Sequence, residues 1–514
     1  MTDLLLSLGM RAEWLLPALL VLPVIAAIIV WVLPGDARLA RPLSLVVLFT
    51  VALLATTCWW LVPAAGSAGF TADHPWIEEF GTRLRLTATG VSLPMILLTA
   101  WLMPLALLAC GPADDAVRPR AFHAQVLLLS AGILGIFLAG DLLVFYLAWE
   151  LMLVPLYFLI GAWGSARGPR AATTFFIYTL VGSLLMLVAI LHVVRMTGTT
   201  VLPQVMEALA TRPMSLTAQL WCFGAFAAAF LVKSALVPFH TWLPDAQGES
   251  PAVAATALGI KVGTYGMLAI AMPLFPAAAM HPVVRLVLMA LGVAAILHGS
   301  LVALVQPDFR RVMSYASVAH LGFVVVGLAA FTPESVQGAL MVMLNAGITT
   351  GGMFVVLGIL RDRLGANDGF AALGGLARTL PALSSVVVLL VLANVGLPGT
   401  NGFVGEFLVL LGAYGPYPYL VLLATIGVIL AAAALLWAVQ RTLFGPAVER
   451  AAPLRDLGTR EAVVMGAFVV AILALGLAPA PMLDRTRPQT LRLIETVRAT
   501  SVDPMSLPLP LGSR

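Results

Sequence analysis

The chain predicts an all-α polytopic membrane protein of about fourteen transmembrane helices, and three observations predict it. Of its 514 residues, 61 % are hydrophobic and only 10 % charged, against roughly 45–50 % apolar and 25 % charged in a soluble domain. The apolar residues gather into runs near the roughly 20-residue length that crosses a bilayer. Two runs are interrupted at corresponding places in the two halves of the chain, the signature of inverted-repeat transporters with broken helices.

The runs fall at 14–33, 43–62, 89–110, 121–140, 142–162, 171–194, 218–240, 251–275, 282–305, 311–331, 335–360, 380–411, 418–444 and 462–482. The first has no small-residue cleavage motif and is long enough to span, so it reads as a retained helix and not a removed signal peptide. The seventh runs into LVPFHTWLPDAQGESP, where Pro238 and Pro244 break the backbone ladder in the membrane or at its edge. The twelfth is too long for one crossing and carries NVGLPGTNGFVGEF in its middle, with four glycines and a proline. A five-helix unit, spans 4 to 8, followed by a second, spans 9 to 13, places each break fourth in its unit. The expected organisation is an N-terminal three-helix region (1–120), two inverted-repeat half-channels (121–275 and 282–444), and a last helix with a C-terminal tail (445–514).

Orientation follows from arginine counts. Connections after odd-numbered spans hold fifteen arginines, among them Arg38, Arg118, Arg167, Arg310, Arg361, Arg441 and Arg450; those after even-numbered spans hold five, Arg83, Arg85, Arg195, Arg212 and Arg285. This excess puts the odd connections in the cytoplasm and both termini outside, for a multi-pass protein. The C-terminal tail, with five arginines, argues the other way, but the interior connections dominate. The net charge of +4 is therefore arginine in loops, without the basic run or aromatic-interleaved patch that tracks nucleic acid. Lipid is the expected partner and nucleic acid is excluded. Cys58, Cys110 and Cys222 are odd in number and far apart, so they make neither a disulfide framework nor a thiolate metal site. No phosphate-binding glycine loop, CxxC, HExxH or haem-type histidine pair stands in a plausible context, so no cofactor and no metal are expected in this chain.

Only two lysines occur, Lys233 and Lys261, and both sit inside apolar stretches, AAAFLVKSALVP and AATALGIKVGTYG. Arginine effectively never deprotonates, whereas a desolvated lysine does so readily, so a buried site that must lose and regain a proton calls for lysine. Codon drift would explain the arginines but not where the two lysines remain. Glu150 and Glu406 are the matching acids, the latter close after the second break as Lys233 is close before the first. A charge at the centre of a span costs roughly 2.5–3.5 kcal/mol; four of them, about 10 kcal/mol, rival a domain's whole stability, so they must be paired or hydrated. Glu150 has Lys233 as its nearest cationic candidate, and a pair at about 4 Å with an effective dielectric near 20 is worth on the order of 4 kcal/mol. Opening it would switch the lysine between protonated and neutral. His320 and His298 lie mid-span and His240 at the seventh-span break. A lone histidine on an apolar helix is usually a satisfied core residue, but beside buried lysines these are relay candidates. Ser314, Tyr315, Ser317, Thr256, Thr264 and Tyr265 could hold a water chain between them, although such hydroxyls more often bond a helix backbone.

The segments KSALVPFHTWLPDAQGESP, KVGTYGMLAIAMPLFP, QPDFRRVMSYASVAHLGFV, LANVGLPGTNGFVGEF and WELMLVPLYFLIGAWG resemble the antiporter-like subunits of respiratory complex I, most closely the M-type subunits of bacterial NADH:quinone oxidoreductase. The resemblance covers almost the whole chain. It implies two inverted five-helix repeats with charged residues and water at mid-membrane. Glu150 matches the fifth-helix glutamate, Lys233 the seventh-helix lysine paired with it, Lys261 the eighth-helix lysine, His320 the tenth-helix histidine and Glu406 the twelfth-helix acid. Ala346 stands where M-type chains usually carry histidine, Ala269 where arginine is usual, and His298 where tyrosine is expected.

The resemblance implies a proton-translocating membrane-arm subunit in the bacterial inner (plasma) membrane, with Glu150, Lys233, Lys261, His320 and Glu406 as carriers; His298 and His240 stand beside them as relay candidates from their imidazole chemistry alone. It would work within an enzyme, NADH:quinone oxidoreductase, whose NADH, FMN, iron–sulfur clusters and quinone are expected in partner subunits. Its neighbours would be other membrane-arm subunits, further antiporter-like ones included. The alternatives are a subunit of a cation/proton antiporter or membrane-bound hydrogenase complex, or a non-conducting scaffold favoured by Ala346.

Overall fold

A computed structural model of the chain describes residues 12–32, 37–61, 70–77, 81–111, 117–365, 369–446 and 454–501. The two termini and Arg450, used in the orientation argument, lie outside the described residues. Bilayer hydrocarbon offers no partner for a free peptide group, so an apolar run satisfies its backbone as helix. Among the described residues, twelve helices are long and apolar enough to cross a membrane, and three apolar ones are shorter. In chain order they begin with α1 (Ala12–Val32), α2 (Ala40–Leu61), α3 (Leu93–Ala109), α4 (Pro119–Leu138), α5 (Leu142–Trp163) and α6 (Gly168–Thr197). The seventh run gives α7 (Leu216–Lys233), a break, and α8 (Trp242–Glu249). Then come α9 (Ala252–Leu258), α10 (Val262–Gly266) with its continuation to Leu274, α11 (Pro282–Leu304), α12 (Phe309–Ala330) and α13 (Pro333–Leu364). The twelfth run splits into α14 (Pro381–Asn394) and α15 (Asn401–Tyr414), followed by α16 (Pro418–Leu443), α17 (Thr459–Leu477) and α18 (Ala480–Ser501).

Helix starts are fixed by side chains that take up free amides. Asp141 accepts from the N–H groups of Leu143 (2.8 Å) and Val144 (3.2 Å) before α5, Asp308 accepts from Arg311 N (2.8 Å) before α12, and Thr332 and Ser335 cap each other's backbone before α13. The core lies around α4, the Ala252–Leu274 segment, α12 and α13, whose apolar stretches are almost wholly buried. The outer helices α16 and α17 leave Leu422, Ile426, Ile429, Val463 and Val470 exposed, as lipid-facing surface should. In the centre α11 and α12 approach closely: a side chain at Gly292 would meet the Gly322 carbonyl, and the reverse also holds, the small-residue contact that packs membrane helices.

Three features depart from the sequence expectation. The eighth run is not one continuous helix but is interrupted between α9 and α10, at Lys261. The connection after α2 carries an antiparallel hairpin, β1 (Phe70–Ile77) and β2 (Thr82–Ala88), with Asp73 bridging Arg83 (2.6 Å) and Arg85 (2.9 Å) across it. The segment expected as a tail forms α18, tied down by Arg485 to the Trp59 carbonyl, Arg498 to Phe331 O (2.8 Å) and Gln489 to Gly90 N (2.5 Å).

Candidate functional site

Lys233, Lys261, His320 and Glu406 are each at most 9 % exposed, and every one of them lies at or beside a helix break. Lys233 is the last residue of α7, where a cation suits the negative end of the helix dipole. The chain then leaves helical geometry at Ala235 (φ 48°) and Pro238, and the Val232 carbonyl, which accepts from Ala235 N, also accepts from Trp242 Nε1 at 2.9 Å.

The ammonium of Lys233 makes no hydrogen bond and no ion pair. The expected pairing with Glu150 is therefore not a direct contact: the carboxylate acts on Lys233 through space, and its Oε1 also lacks a hydrogen-bond partner. Aromatic rings stand against the ammonium instead: Lys233 Nζ sits 4.8 Å from the Phe175 ring centroid and 5.9 Å from that of Trp149, so ring faces take the place of a direct carboxylate contact. Glu150, one residue beyond Trp149, is half-buried at the edge of the bundle.

Lys261 occupies the interruption between α9 and α10 with non-helical torsions (φ −89°, ψ 57°). Its Nζ donates to Ser317 Oγ on α12 at 2.7 Å. Gly263 lets this break press against the first one, since a side chain there would run into the Phe230 carbonyl and Ser234. One turn along α12 from Ser317, His320 Nε2 lies 3.1 Å from the Asn394 carbonyl and 3.6 Å from Glu406 Oε1. Asn394 ends α14 and Glu406 lies in α15, so His320 faces both sides of the second break. Lys261, Ser317, His320 and Glu406 thus run in sequence from the first half of the chain to the second.

The other two relay candidates meet each other. His240, in the first break, and His298, on α11, approach to 3.0 Å between their Nε2 atoms, with ring centroids 4.7 Å apart. One imidazole must donate and the other accept, so the pair can pass a proton between helices. Of the candidate water-chain hydroxyls, Ser317 alone binds a lysine. Ser314 donates to Arg310 O, Thr264 to Lys261 O, Thr256 to Gly351 O and Tyr265 to Phe137 O, mostly backbone satisfaction of the ordinary kind.

Sequence reasoning missed two groups. Asn345, Asn394 and Asn401 are buried around the second break, where Asn345 Nδ2 donates to Asn401 O at 2.5 Å. Their signal was an amide inside an apolar run, MLNAG, LANVG and GTNGF. Beside α8, buried Arg310 donates to Gly248 O and Ser250 O at 3.1 Å, while Arg311 faces Asp245 (3.7 Å), Glu249 (3.9 Å) and Asp308 (3.6 Å). No group of three or more His, Cys, Asp or Glu side chains placed to hold a metal ion occurs among the described residues.

Outside the spans, burial raises the Asp456 carboxyl, but three backbone N–H groups, from Ala382, Leu457 and Leu383, and the Arg363 guanidinium outweigh it and hold the carboxyl below its ordinary value.

Residues 139–431 match the family described as NADH:quinone oxidoreductase/Mrp antiporter, TM. The chain is 36 % identical over 471 residues to NADH-quinone oxidoreductase subunit M of Rhodobacter capsulatus, covering 87 % of this chain and 91 % of that one. A chain of respiratory complex I from Thermus thermophilus superposes with TM-score 0.84 at 32 % identity, over 93 % of this chain and 99 % of that one. A chain of the Mrp complex from a Dietzia species reaches TM-score 0.82 over 96 % of this chain and 99 % of that one, at 20 % identity, a likeness of fold.

Proposed function

The chain belongs to the NADH:quinone oxidoreductase/Mrp antiporter transmembrane family, and from that premise we propose that it is a proton-translocating membrane-arm subunit of an NADH:quinone oxidoreductase. Redox chemistry in partner subunits, where NADH, FMN, iron–sulfur clusters and quinone would bind, drives it. The observation that carries this reading is the line Lys261–Ser317–His320–Glu406 through the broken helices. Lys261 gives up and regains the proton, Ser317 Oγ accepts the hydrogen bond that orients it, and His320 carries charge towards Glu406. The His240–His298 pair feeds the first half-channel (121–275), and Lys233, solvated by aromatic faces, responds to the charge on Glu150. The second half-channel (282–444) ends at Glu406. Both termini lie outside a bacterial plasma membrane.

Glu406→Gln removes the terminal carrier while keeping the side chain's size. In vesicles containing the assembled complex it should lower proton pumping at least about tenfold, equivalent to about 1.4 kcal/mol on the rate-limiting step, with the complex still assembled. The non-conducting scaffold reading, which Ala346 favours, requires that variant to pump like the parent.

A further inference from the structure

We propose that the groove beneath α18 binds one anionic phospholipid, its phosphate held by Arg85 and Arg492 and an acyl chain laid along the apolar wall. A cavity of about 380 Å³ lies between the β1–β2 hairpin, the turn after α4, the short helix Leu202–Thr211, the end of the Ala252–Leu274 segment and α18. That is the size of a small-molecule site. Its walls differ in chemistry. Arg85, Thr87 and Thr89 on the hairpin side and Arg492 on α18 are polar, whereas Met206, Ile270, Pro273 and Leu493 are apolar. A second cavity, of about 450 Å³, shares Met206, Pro273 and Thr496 with the first and continues the groove past Leu209, Met214 and Leu274. The occupant it fits is an amphiphile.

Its head must be an anion. Arg85 gives Nη1 to Asp73 at 2.9 Å, yet its Nε is buried without a partner. Arg492 makes neither a hydrogen bond nor an ion pair among the described residues. Asp73 is shared with Arg83, and among the described residues no acidic side chain lines this cavity, so the wall carries surplus positive charge. A buried N–H without an acceptor is costly, and the guanidinium fork matches a phosphate. The arginines stand in the hairpin and α18 while Ile270 and Pro273 lie in the last turns of an apolar span, so the groove runs from headgroup to hydrocarbon depth, as a lipid does. A free phosphate would leave the apolar wall wet, and the ammonium of a zwitterionic lipid gains no partner beside the phosphate. The polar end is built by close contacts. Gly140 N donates to Arg85 O at 2.9 Å, and a side chain at Gly140 would strike Thr87 Oγ1 and the Arg85 stem, while Gln489 ties α18 to Gly90 N at 2.5 Å.

The test uses phosphatidylglycerol carrying a photoactivatable diazirine in one acyl chain, mixed with the detergent-purified complex that contains this chain, with adducts mapped by peptide mass spectrometry. Expected are adducts on Met206, Ile270 or Leu493, displaced by excess unlabelled phosphatidylglycerol but not by phosphatidylcholine or inorganic phosphate. Arg492→Gln removes an unpaired, exposed guanidinium and should lower the adduct yield at least about tenfold, as the loss of a charge-assisted hydrogen bond does. Ala269→Phe, which fills the cavity from its wall, should do the same. Arg487→Gln removes an exposed arginine of α18 that does not line the groove and should leave the yield unchanged. Adducts absent from the assembled parent, an equal loss in Arg487→Gln, or full labelling of assembled Arg492→Gln overturns the site. Displacement by inorganic phosphate would reveal an ion site, and displacement by phosphatidylcholine a site blind to net charge; either result refutes the proposal. The readout does not depend on pumping, so a complex that pumps normally but takes no adduct sinks this inference alone.

Discussion

At the scale of single residues, Lys261 shows why the identity of a cation matters as much as its charge. Its ammonium has one protein acceptor, Ser317 Oγ at 2.7 Å, in a site that is 3 % exposed. An arginine there would present five N–H donors on a rigid plane, most of them without acceptors at about 1–3 kcal/mol each, and it could not release its proton. Lys261→Arg should therefore impair pumping nearly as much as Lys261→Ala, measured as acidification by the assembled complex in vesicles. An arginine variant that assembles and pumps like the parent would show that only the charge is needed. Lys233, Lys261, His320 and Glu406 were legible in the sequence because a charge or imidazole within an apolar run contrasts with everything around it. The amides of Asn345, Asn394 and Asn401 were not, since asparagine beside glycine reads equally well as a helix end. Nor could the spacing of Glu150 and Lys233 reveal that the rings of Trp149 and Phe175 stand against the ammonium; contacts between helices have no local signature.

At the scale of elements, a break is legible when proline enforces it. Pro238 and Pro398 announced the interruptions after α7 and α14, whereas that at Lys261 rests on Gly259, Gly263 and packing against Phe230 and Ser234, none of which excludes a helix. The β1–β2 hairpin escaped because it is short and half polar. Helix α14 begins with no cap of its own, and Asp456 provides one from the distant connection, accepting from Ala382 N (2.8 Å) and Leu383 N (3.1 Å). Because the folded carboxyl titrates below its ordinary value, its contribution is fully present above the unfolded value near 3.9 and disappears as pH falls through the lower folded one. Asp456→Ala should cost at most about 1 kcal/mol at neutral pH, the usual worth of a cap, because solvent partly screens this half-buried group. Thermal unfolding of the parent and variant complexes checks it: the difference should narrow below about pH 4, and a gap that widens on acidification would refute the cap.

At the scale of the whole molecule, the arginine bias and α18 bear on one question, which side faces the cytoplasm. Two of the five tail arginines that opposed the interior count have structural partners: Arg485 takes a carbonyl two residues before the end of α2, and Arg498 takes Phe331 O just after α12. Cations at helix C-termini complement the dipole, so these two charges cap helices and carry little weight in the positive-inside count. Their partners, with Gly90 and Gln337, which donates to Leu483 O at 2.7 Å, all border connections that follow even-numbered spans. Helix α18 therefore packs on that face, which the arginine-poor connections assign to the outside. Single cysteines decide it, because Cys58, Cys110 and Cys222 are buried and give a quiet background. Ala166→Cys and Glu334→Cys occupy exposed positions on opposite faces. A membrane-impermeant maleimide should label the Glu334 variant in intact spheroplasts and the Ala166 variant only in inside-out vesicles. The opposite pattern would invert the orientation, and with it the side from which the His240–His298 pair takes up its proton.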